Sequence, residues 1–188
     1  MRTSRGYRPS TASAVRDREP QNRESERPLI YSSACEYAIR AASYLAARRK
    51  DGETLVKLKE IADAQGLPAP YLSSILQRLV TSGLLRSAKG PTGGYGLQSP
   101  PEQVTLHDIK AIMDGTADLK ACAAGLNVCS DDAPCPLHDT WKPIREQIET
   151  YLKETTLEDM AEALAKKGVV PLSPGSLGDG LPAAPDAD

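Results

Sequence analysis

Three cysteines and a histidine lie close together in the stretch CAAGLNVCSDDAPCPLH, which spans residues 122–138. Cys122, Cys129 and Cys135 are separated by small and turn-forming residues, which let the chain fold back so that the three thiols converge on one centre. Thiolates bind soft or borderline metals, meaning zinc, copper(I) or iron–sulfur clusters. The stretch therefore predicts a metal or redox site, with His138 as a further candidate ligand.

The spacing of these residues leaves the kind of site open. Structural zinc sites usually contain close Cys-x-x-Cys pairs, and here only Cys135 and His138 have that spacing. The wider gaps of 6 and 5 residues between the cysteines suit the larger circumference of an iron–sulfur cluster. A zinc-stabilised loop and a thiol-redox loop without a cluster are the alternatives, and His138 alone could merely cap the next helix.

A nucleophilic Cys–His pair in an enzyme is a further way to use the same residues. The sequence shows no substrate-sized apolar domain, no oxyanion motif and no phosphate-loop signature. We therefore predict that the protein is not an enzyme.

The composition is that of a globular protein with one sizeable core. The 188 residues are 40% hydrophobic and contain no phenylalanine, so burial must come from Leu, Ile, Val and Ala. No run approaches the roughly 20 apolar residues of a membrane span, and the N-terminus has no apolar core for a signal peptide. We expect a cytoplasmic protein without a membrane partner, in which four cysteines favour metal or redox chemistry over disulfides.

Charge and composition divide the chain into four parts. Residues 1–28 are predicted to be a disordered N-terminal extension and residues 168–188 a disordered Gly/Pro-rich tail, because neither could offset its ordering entropy. Residues 29–100 are expected to form a winged helix-turn-helix DNA-binding domain, and residues 101–167 the cysteine loop with its dimerisation helices. Residues 29–100 carry 9 basic and 5 acidic residues, whereas residues 101–188, which include the tail, carry 7 and 16. A basic half can attract a polyanion although the net charge of the whole chain is −2.

The basic half reads as a helix-turn-helix. A first helix is predicted from a capping box at Ser33 and Glu36, with Cys35 in the core. A helix over about 58–65 then ends at Gly66, and the next begins with Pro70 in its first turn. Its buried stripe is Leu72, Ile75, Leu76, Leu79 and Val80. The residues expected to face outward, where they can reach base edges in a major groove, are Tyr71, Ser73, Ser74, Gln77 and Arg78.

Two short strands, LLRSA and YGLQ, flank KGPTGG directly after this helix and predict a hairpin. A hairpin in that position is the wing of a winged helix, whereas without it a solvated packing helix would be an equal reading. Tyr95 and Leu97 are expected to point into the core. The residues expected to approach a phosphate or a narrow groove are Lys89, Gly90, Pro91, Thr92, Gly93 and Gly94.

The acidic half predicts three helices around the cysteine stretch. Thr105 and Asp108 form a cap pattern for a short helix that ends at Gly115, with His107 exposed. A longer helix begins near Thr140 and breaks at residues 155–156 before LEDMAEALAKK. The stripe Trp141, Ile144, Ile148, Tyr151 and Leu152 suggests dimerisation, although packing within the domain would leave the same stripe. The predicted fold class is mainly α with a small β-hairpin.

The combination of SSACEYAIRAASYLA, the helix-turn-helix, the wing KGPTGGYGL and three cysteines ahead of a long helix covers most of residues 29–165. It resembles the Rrf2 family of winged-helix regulators, and within it the iron–sulfur sensors of the IscR, NsrR and RirA types. The resemblance implies a homodimer that carries a cluster near its interface. Such a dimer represses or activates genes according to cluster, redox, iron or nitric oxide status. Its expected partner is double-stranded DNA at an AT-rich pseudo-palindromic operator.

Members of this family differ in the fourth cluster ligand. One type places a histidine after the third cysteine with two residues between them, which matches His138. Another takes a carboxylate from the first helix of the other subunit, which matches Glu36. Because Glu36 is explained as the capping partner of Ser33, the sequence favours His138. A 2Fe–2S cluster is favoured, with 4Fe–4S as the alternative. The gap between Cys122 and Cys129 is one residue longer than is usual in the family, and Ser73 and Ser74 differ from the recognition residues of the IscR type.

Overall fold

The computed structural model describes residues 30–167 except 51, 53, 127 and 128. The two terminal segments that the sequence predicts to be disordered lie outside the described residues. The described part is mostly helical, with one two-stranded antiparallel sheet, which confirms the predicted fold class. No helix within it is long and apolar enough to cross a membrane.

Helix α1 (Ser33–Lys50) is the centre of the core, and its small residues let neighbouring helices approach closely. Cys35 is fully buried on it, as predicted. The predicted capping box at Ser33 and Glu36 is wrong, because the helix already includes Ser33. Ser32 is the cap instead, and its Oγ accepts a hydrogen bond from the Cys35 N–H at 3.1 Å.

Helices α2 (Leu58–Gln65) and α3 (Ala69–Thr81) form the predicted helix-turn-helix. Gly66 ends α2 in the left-handed region, with φ 61°, where a side chain would be strained. Leu72, Ile75, Leu76 and Leu79 are buried on α3 and Val80 packs against them half-buried, as the stripe predicted.

Strands β1 (Leu85–Ala88) and β2 (Gly94–Leu97) form the predicted hairpin, with Leu85 opposite Leu97 and Ala88 opposite Gly94. One further strand pairing was not predicted from the sequence. Val56 exchanges two backbone hydrogen bonds of 2.8 Å with Tyr95, so the segment before α2 lies along the free edge of β2. A Cβ atom on Gly94 or Gly96 would collide with the backbone of Val56 or Thr54, which explains the glycines in this strand.

The remaining elements are α4 (Leu106–Met113), α5 (His138–Glu154) and α6 (Leu157–Lys167), with short 3-10 turns at Pro101–Gln103 and Ala117–Lys120. The capping box of Thr105 and Asp108 is confirmed. His107, expected to be exposed, is instead half-buried. Helix α6 turns back to pack on α1, which brings Leu157 into the core.

The apolar stripe of α5 is only partly covered by this chain. Leu152 is fully buried, whereas Ile144 and Tyr151 are each 49% exposed. Trp141 and Ile148 are intermediate. Packing within the domain therefore accounts for Leu152 and part of Ile148, and leaves Ile144 and Tyr151 open.

Candidate functional site

The cysteine loop, residues 121–137, connects the 3-10 turn at Ala117–Lys120 to α5. Backbone hydrogen bonds fold it back on itself: the Cys129 N–H donates to the Lys120 carbonyl at 3.3 Å, and the His138 N–H donates to the Cys135 carbonyl at 2.9 Å. The Trp141 indole N–H also donates to the Ala121 carbonyl at 3.2 Å, which ties the start of the loop to α5.

This folding brings the four predicted ligands together as two pairs. The Cys122 and Cys135 sulfurs lie 3.4 Å apart, and the Cys129 sulfur lies 3.4 Å from Nδ1 of His138. Cys122 and His138 are buried, whereas Cys129 and Cys135 are half-buried. One side of the group is therefore enclosed by protein and the other can be reached from solvent.

The two sulfurs of the Cys122–Cys135 pair differ in acidity. The Ala124 backbone N–H donates to Cys122 and lowers the pKa of its thiol; burial opposes this, while Cys135 and the Leu126 N–H add to it. The pKa of Cys135 is raised, because its hydrogen bond to Cys122 holds its proton. Cys122 is therefore the first of the pair to ionise, and a thiolate is the form that binds metals and attacks disulfides.

A carboxylate and a lysine extend the group outward from His138. The Nε2 atom of His138 lies 2.8 Å from Oδ1 of Asp131, and the Lys142 ammonium donates to both oxygens of Asp131 at 2.8 and 2.9 Å. The pKa of Asp131 is held below its usual range by the hydrogen bond from Lys142 and then by that from His138. Asp131 is thus ionised near neutral pH.

The donors fit a soft metal by their chemistry. Within the described ranges, no three His, Cys, Asp or Glu side chains are arranged to hold a single metal ion. The three sulfurs and one ring nitrogen nevertheless form two close pairs. His138 is in turn hydrogen-bonded to Asp131, and Asp131 to Lys142. Glu36 is exposed in the first turn of α1.

The predicted DNA-contacting residues lie on α3 and the wing. Tyr71, Ser74, Gln77 and Arg78 are exposed, whereas Ser73 is half-buried. Gln77 stands between two grooves: one of about 510 Å³ toward the wing and one of about 580 Å³ toward the end of α4. It is the α3 residue that lines both grooves.

Two of these α3 residues also make contacts within the protein. The Tyr71 ring meets the ring of Tyr37 edge to face at 5.9 Å, which fixes the start of α3 against α1. The Arg78 guanidinium donates to the Ile112 carbonyl at 3.0 Å and to the Met113 carbonyl at 2.8 Å, at the end of α4. Because its Nη2 donates to both carbonyls, Arg78 links α3 to the end of α4.

The wing presents an exposed cation and an open backbone. Lys89, Gly90 and Thr92 are exposed, and Gly90 has φ 106°, a conformation that requires glycine in practice. Gly93 is half-buried, and a Cβ atom at this position would strike the Ala88 carbonyl. The tip can therefore approach a polyanion closely through its backbone.

Residues 31–163 match the family model for Rrf2, described as an iron-dependent transcriptional regulator. The chain belongs to the Rrf2 family. A helix-turn-helix-type transcriptional regulator of Aquifex aeolicus is 33% identical over 147 residues, which cover 77% of this chain and 99% of that relative. Rrf2 proteins are transcriptional regulators and not enzymes, so the prediction that the chain is not an enzyme is confirmed.

Solved structures of two Rrf2-like regulators share the fold. CymR, the global cysteine regulator of B. subtilis, has a TM-score of 0.62 and 30% identity, over 72% of this chain and 98% of its own. IscR of T. potens has a TM-score of 0.58 and 28% identity, over 74% and 90% respectively. The fold of this chain is thus shared with both CymR and IscR.

The sequence did not point to the groups that hydrogen-bond to His138, Asp131 and Arg78 in this Rrf2 chain. Asp131 and Lys142 had no assigned role, although an acidic residue in the same loop as a candidate histidine ligand is a usable signal. The carbonyl partners of Arg78 are 34 and 35 residues away along the chain, and no local pattern points to them.

Proposed function

We propose that this Rrf2 regulator binds DNA as a homodimer and controls transcription according to the state of an iron–sulfur cluster held by Cys122, Cys129, Cys135 and His138. The observation that supports the proposal most is the meeting of these four side chains as two donor pairs, each 3.4 Å across. When bound, a cluster supplies one-electron chemistry and sensitivity to oxidants.

The pairing favours a 2Fe–2S cluster over a single ion, because a two-iron group takes two protein ligands on each metal. Cys122 and Cys135 would serve one iron, and Cys129 and His138 the other. A zinc site would need all four donors around one centre. The non-thiolate ligand leaves its iron the less firmly held of the two, which is where a chemical signal acts most easily.

His138 is favoured as the fourth ligand by its position, not by the capping argument that the structure overturned. Its Nδ1 faces the Cys129 sulfur, and the ring is 6% exposed. Glu36 of the other subunit is the alternative, since it is exposed and has no role in the cap of α1.

DNA binding is assigned to the outward face of α3 and to the wing. A two-fold dimer presents two copies of α3 about one DNA turn apart, so an AT-rich pseudo-palindromic operator is the expected target. The exposed residues of the α5 stripe, Ile144 and Tyr151, supply an apolar surface for the dimer.

A thiol-redox regulator without a cluster is the second candidate. The Cys122 and Cys135 sulfurs are already 3.4 Å apart, and the pKa of Cys122 is lowered. A likeness to CymR, described as a global cysteine regulator, also agrees with sulfur-based control. In this reading hydrogen peroxide oxidises the two thiols to a disulfide. The thiols give up two electrons and two protons, and the peroxide is reduced to two water molecules.

Anaerobic purification separates the candidates. We expect brown protein with iron and sulfide in equal amounts, two of each per subunit, whereas Cys129→Ala is expected to contain neither. Cys35→Ala is the matched control, because Cys35 is buried on α1 away from the loop and should leave the iron content unchanged. His138→Ala retains three thiols and should assemble a cluster that is more easily lost.

Colourless protein with one zinc per subunit would contradict the cluster. So would metal-free protein whose operator binding changes only when peroxide joins Cys122 to Cys135, detected by mass spectrometry. Operator binding by the loaded and the cluster-free protein, measured by fluorescence anisotropy, then shows whether the cluster controls DNA binding.

A further inference from the structure

Three polar side chains form a chain that runs outward from the cysteine loop: His138, Asp131 and Lys142. The imidazole is buried, whereas the Asp131 side chain is 71% exposed and lies at the surface. The two nitrogens of the ring face different partners, Nδ1 toward the Cys129 sulfur at 3.4 Å and Nε2 toward Asp131 at 2.8 Å.

The contact with Asp131 decides which ring nitrogen carries the hydrogen. An ionised carboxylate accepts hydrogen bonds and has none to donate, so Nε2 must be the protonated nitrogen in the Asp131 contact. A neutral ring then has its lone pair on Nδ1, which is the nitrogen that faces Cys129. Only a nitrogen with a free lone pair can bind a metal.

Lys142 holds the carboxylate in place on the opposite side. Its ammonium contacts both oxygens of Asp131, from one turn further along α5 than His138. Asp131 is therefore fixed between two residues of the same helix, although it belongs to the loop. The neighbouring Asp132 is also exposed, but its carboxylate is hydrogen-bonded neither to the ring nor to Lys142, so it serves as a control for Asp131.

We infer that Asp131, held by Lys142, is a positioning residue that presents Nδ1 of His138 to the metal site of the loop. The inference rests on the proposed function for the identity of the metal group, but not for the state of the ring. Histidine ligands commonly donate their other N–H to a carboxylate, which sets the tautomer and the orientation of the ring.

The first test uses metal-free protein. Nitrogen-15 NMR of the ring, at a pH where the imidazole is neutral, should show His138 in a single tautomer with the hydrogen on Nε2. Asp131→Ala should give a mixture of tautomers, and Lys142→Met a smaller change in the same direction. Asp132→Ala is the matched control and should match the wild type. The chain has 2 histidines, so His107 serves as an internal reference.

The second test uses protein reconstituted with iron and sulfide. Loss of an outer carboxylate typically costs 10–100-fold in metal affinity, so Asp131→Ala should lose its cluster to a chelator about 10-fold faster than the wild type. The reduced cluster should also show altered nitrogen coupling in its electron paramagnetic resonance spectrum. Asp132→Ala should again match the wild type.

The two tests fail independently. A tautomer in Asp131→Ala that is the same as in the wild type would overturn the positioning role, whatever metal the protein binds. The same holds if the hydrogen of wild-type His138 is on Nδ1. Wild-type protein that shows the single Nε2–H tautomer, loses it in Asp131→Ala and binds no iron would support the positioning role while contradicting the cluster.

Discussion

The winged helix and the cysteine loop are held in place by different forces. Leu72, Leu76 and Leu79 of α3 are fully buried in the core that α1 centres. In the cysteine loop, by contrast, Leu126 is 53% exposed and Leu137 is 46% exposed, and the chain is held by backbone and side-chain hydrogen bonds. A region stabilised by packing has one shape with or without a ligand, whereas a region held by polar contacts can rearrange when its ligand changes.

Residues 112–114 join the two regions. Arg78 of α3 donates to the carbonyls of Ile112 and Met113, and Asp114 accepts a hydrogen bond of 2.7 Å from the N–H of Ser32 at the start of α1. The 3-10 turn and the cysteine loop follow directly. A rearrangement of the loop that displaces the end of α4 would therefore reach both α1 and α3.

Removing a core side chain from the winged helix should have the largest effect. Leu76→Ala is expected to lower the free energy of unfolding by about 2–5 kcal/mol, because it leaves a cavity in a fully packed site. Cys129→Ala in metal-free protein should cost under about 1 kcal/mol, since the residue is half-buried in the loop. Urea unfolding measures both, and equal losses would refute the contrast between the regions.

A steric clash introduced into the wing should cause the next largest loss of stability. Gly96→Ala forces a Cβ atom into the Thr54 carbonyl, and such overpacking typically costs about 1–3 kcal/mol. The backbone of Gly96 is not in the left-handed region, so the cost is steric. Ser87→Ala on the partner strand, where the side chain is exposed, is the control and should leave the unfolding midpoint unchanged. A neutral Gly96→Ala would show that the edge formed by residues 54–56 is not tightly packed.

Neighbouring residues on α3 should affect DNA binding differently. Gln77→Ala should reduce discrimination between operator and random DNA by about 1–3 kcal/mol if the amide reads a base edge. Arg78→Ala should instead weaken both kinds of binding in similar proportion and lower thermal stability, because it releases the end of α4. Fluorescence anisotropy on both DNAs checks this. If Gln77→Ala lost equal affinity for operator and random DNA, Gln77 would not read a base. If Arg78→Ala lost affinity for the operator alone, Arg78 would be a base-reading residue.

The wing cation should have a smaller effect, independent of sequence. Lys89 is exposed at the base of the tip, where it can neutralise a phosphate. Lys89→Ala should weaken binding to all sequences and reduce the slope of log affinity against log salt by about 1. Lys166→Ala, an exposed lysine on α6 paired with Glu162, is the control. An unchanged salt slope would place Lys89 away from the DNA backbone.

The contrast between the regions also explains what the sequence could predict. The helix-turn-helix follows from local signals, namely Gly66, Pro70 and the apolar stripe of α3, and these lie in the same short segments that they shape. Val56 was missed because a single bridged residue leaves no period to detect. The cap at Ser32 was placed one residue late, since adjacent serines look alike in sequence.

Some features of the candidate site could likewise be predicted from the sequence, and others could not. Residue type and spacing were enough to single out the three cysteines and His138. The arrangement into pairs, and the roles of Asp131, Lys142 and Arg78, depend on distances across the fold that have no counterpart in local sequence. Polar surface residues of these types occur throughout the chain, so composition alone cannot show which of them meet.

The smallest predicted effect concerns a polar contact inside the packed region, the start of α6. The Asp159 carboxylate accepts hydrogen bonds from the Thr156 N–H at 2.9 Å and from its hydroxyl at 2.6 Å, and these hold the pKa of Asp159 below its usual range. A pKa lowered by folding adds stability at pH values above the ordinary aspartate range, and this stability is lost as the pH falls through the lowered value. Asp159→Asn should therefore be slightly less stable than the wild type near neutral pH and equal to it in strong acid, as thermal unfolding across pH would show. Asp132→Asn, in the loop, should follow the wild type throughout. A gap between Asp159→Asn and the wild type that stays constant into strong acid would mean that the carboxylate acts by its shape and not by its charge.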